Sequence, residues 1–277
     1  MKVLTRDHAI VLRRIPLGET SWIVSLLGAA NGRVRLVARG VRAPRSRLGG
    51  SLEVGNELDV VFDLRPGRDL GHLREASLCK SHLGGRLDLA AIGAGFGILE
   101  ILERAIPEGG GESGLVEDVR GALAALGEGK GRPHALIILY AFERRLLDRL
   151  GVGPEWEVCA GCAKPVTRGG WLDIRGGTLH CRTCVRTAPG RSLVGAETLE
   201  FLRALGSQPW DRVASVIPDA RMRRSVGLLL HRLLGMHLER YRLPAALRLI
   251  QKVDSLTPLA SPIVESSATD CGPAPVM

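Results

Sequence analysis

The sequence predicts an α+β protein in which a small barrel of short strands precedes a helical domain. Short alternating segments fill residues 8–79, apolar residues recur at helical spacing from residue 82 onward, and two Cys-x-x-Cys pairs interrupt the helical part. The expected units are a barrel at 1–80, a helical domain at 81–255, an inserted cysteine segment at 156–187 and a disordered tail at 256–277.

Five strands are predicted in the barrel, at 8–15, 20–28, 32–39, 56–65 and 69–78. Asn31-Gly32 and Pro66-Gly67 are turn dipeptides between them. Five strands within about 70 residues, with no helical pattern among them, indicate a small closed or half-closed barrel. The OB-fold is the commonest such barrel that binds nucleic acid, although strand count alone leaves an SH3-like barrel open.

The third strand and the loop after it form the candidate binding segment, Asn31–Gly50. It contains no acidic residue and six arginines, which are Arg33, Arg35, Arg39, Arg42, Arg45 and Arg47. Strand alternation places Val34, Leu36 and Ala38 on one face and the first three arginines on the other. Because a guanidinium donates two hydrogen bonds to phosphate oxygens, the segment predicts a surface for nucleic acid. The alternative is a solvated face in an arginine-rich chain.

Aromatic residues are scarce in the barrel. Trp22 and Phe62 are the two in the first 80 residues, and both are expected in the core. Binding should therefore depend on phosphates and show weak sequence preference.

Five helices are predicted in the second domain, at 87–106, 115–126, 133–150, 196–205 and 222–241. The third is the clearest, with Pro133 in its first turn and Gly151 just beyond its end. Its core face is predicted to carry Leu139, Phe142, Leu146 and Leu150, and its outer face Arg144, Arg145, Asp148 and Arg149.

Cysteine spacing is the strongest pattern in the chain. Cys159, Cys162, Cys181 and Cys184 form C-x2-C-x18-C-x2-C, which is typical of four-cysteine zinc sites. Segments 171–174 and 178–180 are expected to form a hairpin, turned at Gly176-Gly177, that brings the two pairs together. Four thiolates close the shell, so one Zn²⁺ here would be structural.

Alternatives to a zinc site explain the two cysteine pairs less well. Haem attachment would require a histidine directly after a pair, and a thioredoxin-like site would explain one pair only. We expect Cys79 and Cys271 to be incidental thiols and His180 to be a hydrogen-bonding neighbour of the zinc site.

Catalytic motifs are absent from the sequence, so an enzyme is not expected. Gly129-Lys130-Gly131 lacks the P-loop pattern, no G-x-G-x-x-G opens a helix, and Lys252 begins no K-x-D-G motif. Glu100 and Glu103 are expected to form a solvated helix edge that pairs with Arg104.

Composition and charge restrict the partners and the compartment. The 277-residue chain has a formal net charge of +9, which favours an acidic partner such as nucleic acid or an anionic membrane. Arg6, Asp7 and His8 interrupt the place where a signal peptide would need an apolar run, and no run reaches the roughly 18 residues of a membrane span. We expect a cytoplasmic, nucleoid-associated protein with reduced cysteines and no membrane partner.

Several segments together resemble the RecO family of bacterial recombination mediators. They are AIVLRRIPLGET at 9–20, GRVRLVARGVRAPRSRLGG at 32–50, DLGHLREASL at 69–78, LGVGPEWEVCAGC at 150–162 and LLLHRLLGMHLERY at 228–241. The resemblance covers about residues 3–250 and leaves the tail outside. The family often has lysines in the basic loop, where this chain has only arginines.

The resemblance implies an amino-terminal OB-fold, a helical domain and a zinc module. It also implies binding of single- and double-stranded DNA, annealing of complementary strands, and assistance to RecA on DNA coated by single-strand-binding protein. The implied partners are RecR and the C-terminal tail of single-strand-binding protein, with RecA indirectly. The family's basic stretch corresponds to the six arginines and its zinc ligands to the four cysteines. A general RNA-binding barrel with a zinc ribbon and a protein-only scaffold remain the alternatives.

Overall fold

A computed structural model describes residues 3–43, 46, 48–64, 70–85, 88–111, 114–128, 131–185, 191–239 and 241–247. Five strands open the chain: β1 Val3–Leu17, β2 Ser21–Gly28, β3 Gly32–Ala38, β4 Asn56–Leu64 and β5 Leu70–Ser81. They close into a barrel in the order β1-β2-β3-β5-β4, and β3 and β5 form its parallel pair. This arrangement is that of an OB-fold, so the predicted fold is confirmed and the SH3-like alternative is excluded.

Alternation along the strands builds the barrel interior as predicted. Val34, Leu36 and Ala38 are buried inside it, together with Phe62, which is 1 % exposed. Trp22 meets the expectation in part, because its side chain packs against this core but is only half-buried. The sequence therefore predicts the inward face of β3 correctly and the burial of the tryptophan only in part.

Six helices make up most of the rest: α1 Leu89–Ala105, α2 Leu115–Glu128, α3 Gly131–Arg149, α4 Ala196–Ser207, α5 Trp210–Ser215 and α6 Ala220–His237. α3 is central and packs against the other five. The sequence does not predict α5, because six residues span less than two helical turns and show no periodicity. No helix among the described residues has the length and apolar character needed to cross a membrane.

The outer face of α3 is more buried than the sequence suggests. Arg144 was expected to face outward, but only 6 % of it is exposed, and its guanidinium lies 4.7 Å from the ring centroid of Trp156. The prediction is wrong because the cysteine segment covers this side of the helix. The neighbouring Glu143 is fully buried and has His231 Nδ1 of α6 3.2 Å from its carboxylate.

The cysteine segment forms a three-stranded sheet of β6 Gly170–Asp173, β7 Thr178–His180 and β8 Arg191–Val194, in the order β7-β6-β8. The predicted hairpin is confirmed, with Gly177 at a φ of 58° in its turn. β8 was not predicted. Leu172, Leu179 and Trp156 belong to the helical core, so the segment is part of that core and not a separate lobe.

The barrel is fused to the helices through one outer face. Ile10, Leu12 and Leu27 point out of the barrel and are buried in the helical core. Leu12 is the extra residue of a β-bulge in β1, which turns its side chain toward α1. The loop after α1 also bonds to the start of β3, because Arg33 N donates to Gly110 O at 2.7 Å and Gly109 N to Arg33 O at 2.8 Å.

We predict that Gly32→Ala destabilises the protein through this junction. Gly32 has a φ of 62°, and a Cβ there would lie 2.3 Å from Gly110 O. The left-handed conformation alone should cost an alanine about 1–3 kcal/mol of unfolding free energy. Gly18→Ala is the matched control, since Gly18 has a φ of 61° and no atom within 4 Å of the added Cβ. Urea unfolding should show a loss at least about 1 kcal/mol larger for Gly32→Ala; equal losses would contradict the close contact.

Candidate nucleic-acid interface and metal centre

The arginines of β3 divide into two groups with different surroundings. Arg33 is at the junction, where its side chain is 11 % exposed and its Nη1 lies 3.2 Å from Glu103 Oε1. Arg35 Nη1 lies 2.8 Å from Glu108 Oε1, in the loop after α1. Both guanidinium groups are thus paired with carboxylates of the helical part. Their expected contact with nucleic acid stays a prediction, and the visible role of Arg33 and Arg35 is to hold the barrel on α1.

The same contact corrects the expectation for the α1 carboxylates. Glu100 pairs with Arg104, as predicted. Glu103 does not belong to a solvated edge, because its side chain is only 16 % exposed, pairs with Arg33 and accepts a hydrogen bond from Ser25 Oγ. The sequence could not show this, since the partners lie about 70 residues earlier in the chain.

The far end of β3 is open. Arg39 and Arg42 are both exposed, and Arg39 makes no ion pair with any other residue that the structure describes. Arg42 Nη1 donates to Gly18 O at 2.9 Å, in the turn between β1 and β2. Arg45 and Arg47 lie outside the described residues. Among the arginines of β3 and its loop that the structure describes, those without an ion pair to a carboxylate are therefore at the opposite end of the strand from the junction.

Trp22 adds an aromatic surface at this end. The guanidinium carbons of Arg14 and Arg42 lie 4.6 and 5.6 Å from its ring centroid. Cation–π contacts of this kind hold an indole and its cationic neighbours together. A base could stack on the accessible part of such a ring while its phosphates bind the arginines. The sequence missed this arrangement, because a tryptophan in a strand is usually part of a core.

A polar notch lies beside Arg39. Among the described residues, β3 and β5 pair at Arg35–Val37 against Leu70–His72, and a cavity of about 350 Å³ opens just beyond this pairing. Arg39, His72 and Arg74 line it, and Arg74 Nε donates to Asp63 at 2.6 Å. OB-folds bind ligands on the face of strands 2 and 3 and on the adjoining loops. Trp22 is on β2, and Arg39 and the notch are at the end of β3.

Four cysteine sulfurs converge in the second site. The Sγ atoms of Cys159, Cys162, Cys181 and Cys184 all lie within 4.8 Å of one another. The Cys162–Cys181 Sγ distance is 3.9 Å, close to the roughly 3.8 Å edge of a tetrahedron with 2.3 Å metal–sulfur bonds. His180 is outside the cluster and forms a hydrogen bond with Thr178 Oγ1 at 3.1 Å, as expected for a neighbour. The cysteines can therefore hold a four-coordinate metal ion.

Backbone donors prepare this site for negative charge. The N–H groups of Cys181 and Gly161 donate to Cys159 Sγ at 3.2 and 3.3 Å. Burial acts to raise the pKa of the Cys159 thiol, but these donors outweigh it and lower the pKa. Hydrogen bonds with Cys162 and Cys181 raise the pKa of Cys184 to about 12. A divalent cation would supply the positive charge that a fourth thiolate requires.

The helical domain holds the cysteine segment from outside the metal site. Arg203 of α4 donates through Nη2 to Trp156 O at 2.7 Å and to Val166 O at 2.8 Å. These carbonyls precede and follow the first cysteine pair. Trp156 in turn lies under Arg144 of α3. The cysteine segment is thus held by contacts with α3 and α4.

We predict that metal removal unfolds the helical domain together with the cysteine segment. Cys159 and Trp156 are 1 % and 3 % exposed and belong to the helical core, so the core cannot keep its packing when the segment opens. Chelation or Cys159→Ser should lower the Tm of helix unfolding by more than about 10 °C. Circular dichroism at 222 nm is the measurement, and Cys271→Ser is the matched control. A local change with an unaltered helix Tm would contradict the coupling.

Comparison with known proteins matches both parts of the chain to one family of proteins. The family models described as "Recombination protein O N terminal" and "Recombination protein O C terminal" match residues 1–82 and 86–246. The DNA repair protein RecO of Streptomyces griseus subsp. griseus is 36% identical over 246 residues, covering 86% of this chain and 95% of that protein. Those of Nocardioides sp. and Frankia casuarinae are 35% and 34% identical, covering 86% and 85% of this chain and 96% and 94% of theirs. The chain therefore belongs to the recombination protein O (RecO) family.

Proposed function

We propose that this protein is a DNA repair and recombination mediator that binds single- and double-stranded DNA on the open end of its barrel. The observation that carries the proposal is the exposed Arg42 beside Trp22, with the exposed Arg39 just after the end of β3, on strands 2 and 3 and the adjoining loop of an OB-fold. Membership in the RecO family, whose relatives are named DNA repair proteins, supports DNA as the ligand.

The arginines have separate roles in this proposal. Arg39 and Arg42 bind phosphates directly, and Arg45 and Arg47 extend the contact along the same loop. Arg33 and Arg35 hold the barrel in place through Glu103 and Glu108 and bind DNA only where a phosphate competes with those carboxylates. A surface of this kind recognises the backbone, so it should bind unrelated sequences alike.

Annealing follows from charge without a chemical step. Two strands repel each other through their phosphates, and a cationic surface that binds one strand reduces the repulsion felt by the second. No covalent bond forms or breaks, so the protein acts as a mediator and not as an enzyme. Assistance to RecA on DNA coated by single-strand-binding protein would use the same surface.

The four cysteines hold one structural Zn²⁺ in this proposal. Their sulfurs form a closed thiolate shell, and soft thiolate ligands favour Zn²⁺ among the common divalent ions of the cell. The ion stabilises the helical domain that carries the barrel. RecR and the C-terminal tail of single-strand-binding protein are the proposed protein partners, and the proposed location is the cytoplasm, at the nucleoid.

We predict that the double variant Arg39→Ala/Arg42→Ala weakens DNA binding at the open end of the barrel. Four to six arginine–phosphate contacts give a log–log salt slope of roughly −3 to −4 on single strands. Removing two contacts should reduce its magnitude by about 1.4 and lower affinity on the order of 10-fold at about 0.1 M salt. Fluorescence anisotropy with two unrelated oligonucleotides measures both quantities, and both oligonucleotides should lose affinity alike.

Two control variants test whether the loss of affinity comes from the proposed surface, from the lower net charge or from lower stability. Arg6 is an exposed arginine of β1 next to β4, so Arg6→Ala removes a charge from a different side of the barrel and should change affinity less than twofold. Arg33→Ala should lower the unfolding free energy and leave the salt slope nearly unchanged. An unaltered slope in the double variant, or a loss on one sequence only, would overturn the proposed surface. Tighter binding of RNA than of DNA of the same sequence would favour the RNA-binding alternative.

A further inference from the structure

We propose that the barrel carries a second metal site, formed by His8, Asp59 and Cys79, for a divalent cation of the Zn²⁺ type. The three residues lie on β1, β4 and β5. His8, Asp59 and Cys79 each offer one ligand atom, and these three atoms lie within 4.8 Å of one another. The site is on a different domain from the four-cysteine centre and has a different set of donors.

Strand register brings the three residues together. His8 and Asp59 are directly opposite each other in the β1–β4 ladder. Glu57 pairs with Lys80 and Leu58 with Leu78, so Cys79 is the extra residue of a β-bulge in β5. Bulges re-aim a side chain, and the ligand atom of Cys79 in this bulge lies within 4.8 Å of that of Asp59. The cysteine is exposed, which does not fit the expectation of a small apolar side chain at a strand end.

The side chain of His8 is already oriented as a ligand. Its Nδ1 faces Asp59 Oδ1 at 2.9 Å, and its Nε2 forms a hydrogen bond with Glu57. Glu57 is 5 % exposed and is held in turn by His82 Nε2 at 2.7 Å and Arg120 Nε at 2.8 Å. A buried carboxylate that accepts the N–H of one ring nitrogen leaves the other nitrogen for a metal, which is the usual second shell of a metal-binding histidine.

The donor set favours a borderline cation. Imidazole nitrogen, thiolate sulfur and carboxylate oxygen are all Zn²⁺ ligands, whereas Mg²⁺ and Ca²⁺ prefer oxygen alone. The ion would replace the proton between His8 and Asp59 and the proton of the Cys79 thiol, both of which pass to solvent. On tetrahedral coordination the distance between His8 Nδ1 and Asp59 Oδ1 would increase from 2.9 Å to about 3.3 Å. This is a small movement for the exposed carboxylate of Asp59. A water or an external donor would occupy the fourth position.

The site connects the barrel surface to the helical domain. The ion would bind His8, which is hydrogen-bonded to Glu57. Glu57 in turn accepts a hydrogen bond from Arg120 of α2. A bound ion would therefore link β1, β4 and β5 to one another and, through Glu57 and Arg120, to α2. Since His8 and Asp59 retain 31 % and 71 % side-chain exposure and only three protein ligands are present, the ion would exchange with solvent more readily than one held by four cysteine thiolates.

Metal stoichiometry of the full chain tests the proposal. Protein already loaded with one equivalent of Zn²⁺ is titrated with further Zn²⁺, and the bound metal is measured after removal of free ion. We expect two equivalents for the natural chain and for the control Cys271→Ser, and one for Asp59→Asn and for Cys79→Ser. A natural chain that binds one equivalent, or variants that both keep the second, would overturn the site.

Alkylation of Cys79 gives a second measurement, and its main comparison is made on the natural chain. The rate at which iodoacetamide modifies the peptide containing Cys79 is followed by mass spectrometry with and without the second equivalent of Zn²⁺. Zn²⁺ should slow it at least 10-fold in the natural chain and leave it unchanged in Asp59→Asn, whose circular dichroism spectrum verifies folding. An equal rate with and without Zn²⁺ in the natural chain would contradict the proposal.

Discussion

The docking of the barrel against α1 is the contact on which the rest of the structure depends. Ile10, Leu12 and Leu27 leave the barrel surface and enter the helical core, and each such side chain contributes about 1.5–3 kcal/mol when fully buried. Polar contacts then fix the position of β3 relative to the helical part. They are the Arg33–Glu103 ion pair and the backbone hydrogen bonds of Arg33 with Gly109 and Gly110. One end of β3 is consequently fixed against the helices, and the other end is left open.

This asymmetry gives the arginines of β3 and its loop different uses. Near the junction their charge is balanced by Glu103 and Glu108, while Arg39 and Arg42 remain exposed and Arg42 lies beside Trp22. The helical domain supports the barrel, and the four-cysteine site in turn is built into that domain through Trp156 and Arg203. The four-cysteine site, the helices and the barrel are thus connected by direct contacts, and the proposed DNA surface lies on the barrel.

Local sequence patterns correctly predicted the features that depend on the spacing of residues along the chain. Alternation predicted that Val34 and Leu36 face the barrel interior, and Cys-x-x-Cys spacing predicted the convergence of four sulfurs. The covered side of Arg144, the carboxylate partners of Arg33 and the bulge at Cys79 were not predicted. An arginine on the outer face of a strand or helix has the same periodicity whether water, a carboxylate or a tryptophan covers it. Only the tertiary arrangement determines which of these three surroundings an arginine has.

The division of the arginines is tested most directly by photo-crosslinking. A single-stranded oligonucleotide with photoreactive thymidines is irradiated on the intact protein, and the modified peptides are identified by mass spectrometry. We expect crosslinks in the β1–β2 turn, at Trp22 and in residues 39–43, with none in the junction peptides that contain Arg33 or Glu108. Crosslinks concentrated at the junction or on the helices, with none in residues 39–43, would contradict the account.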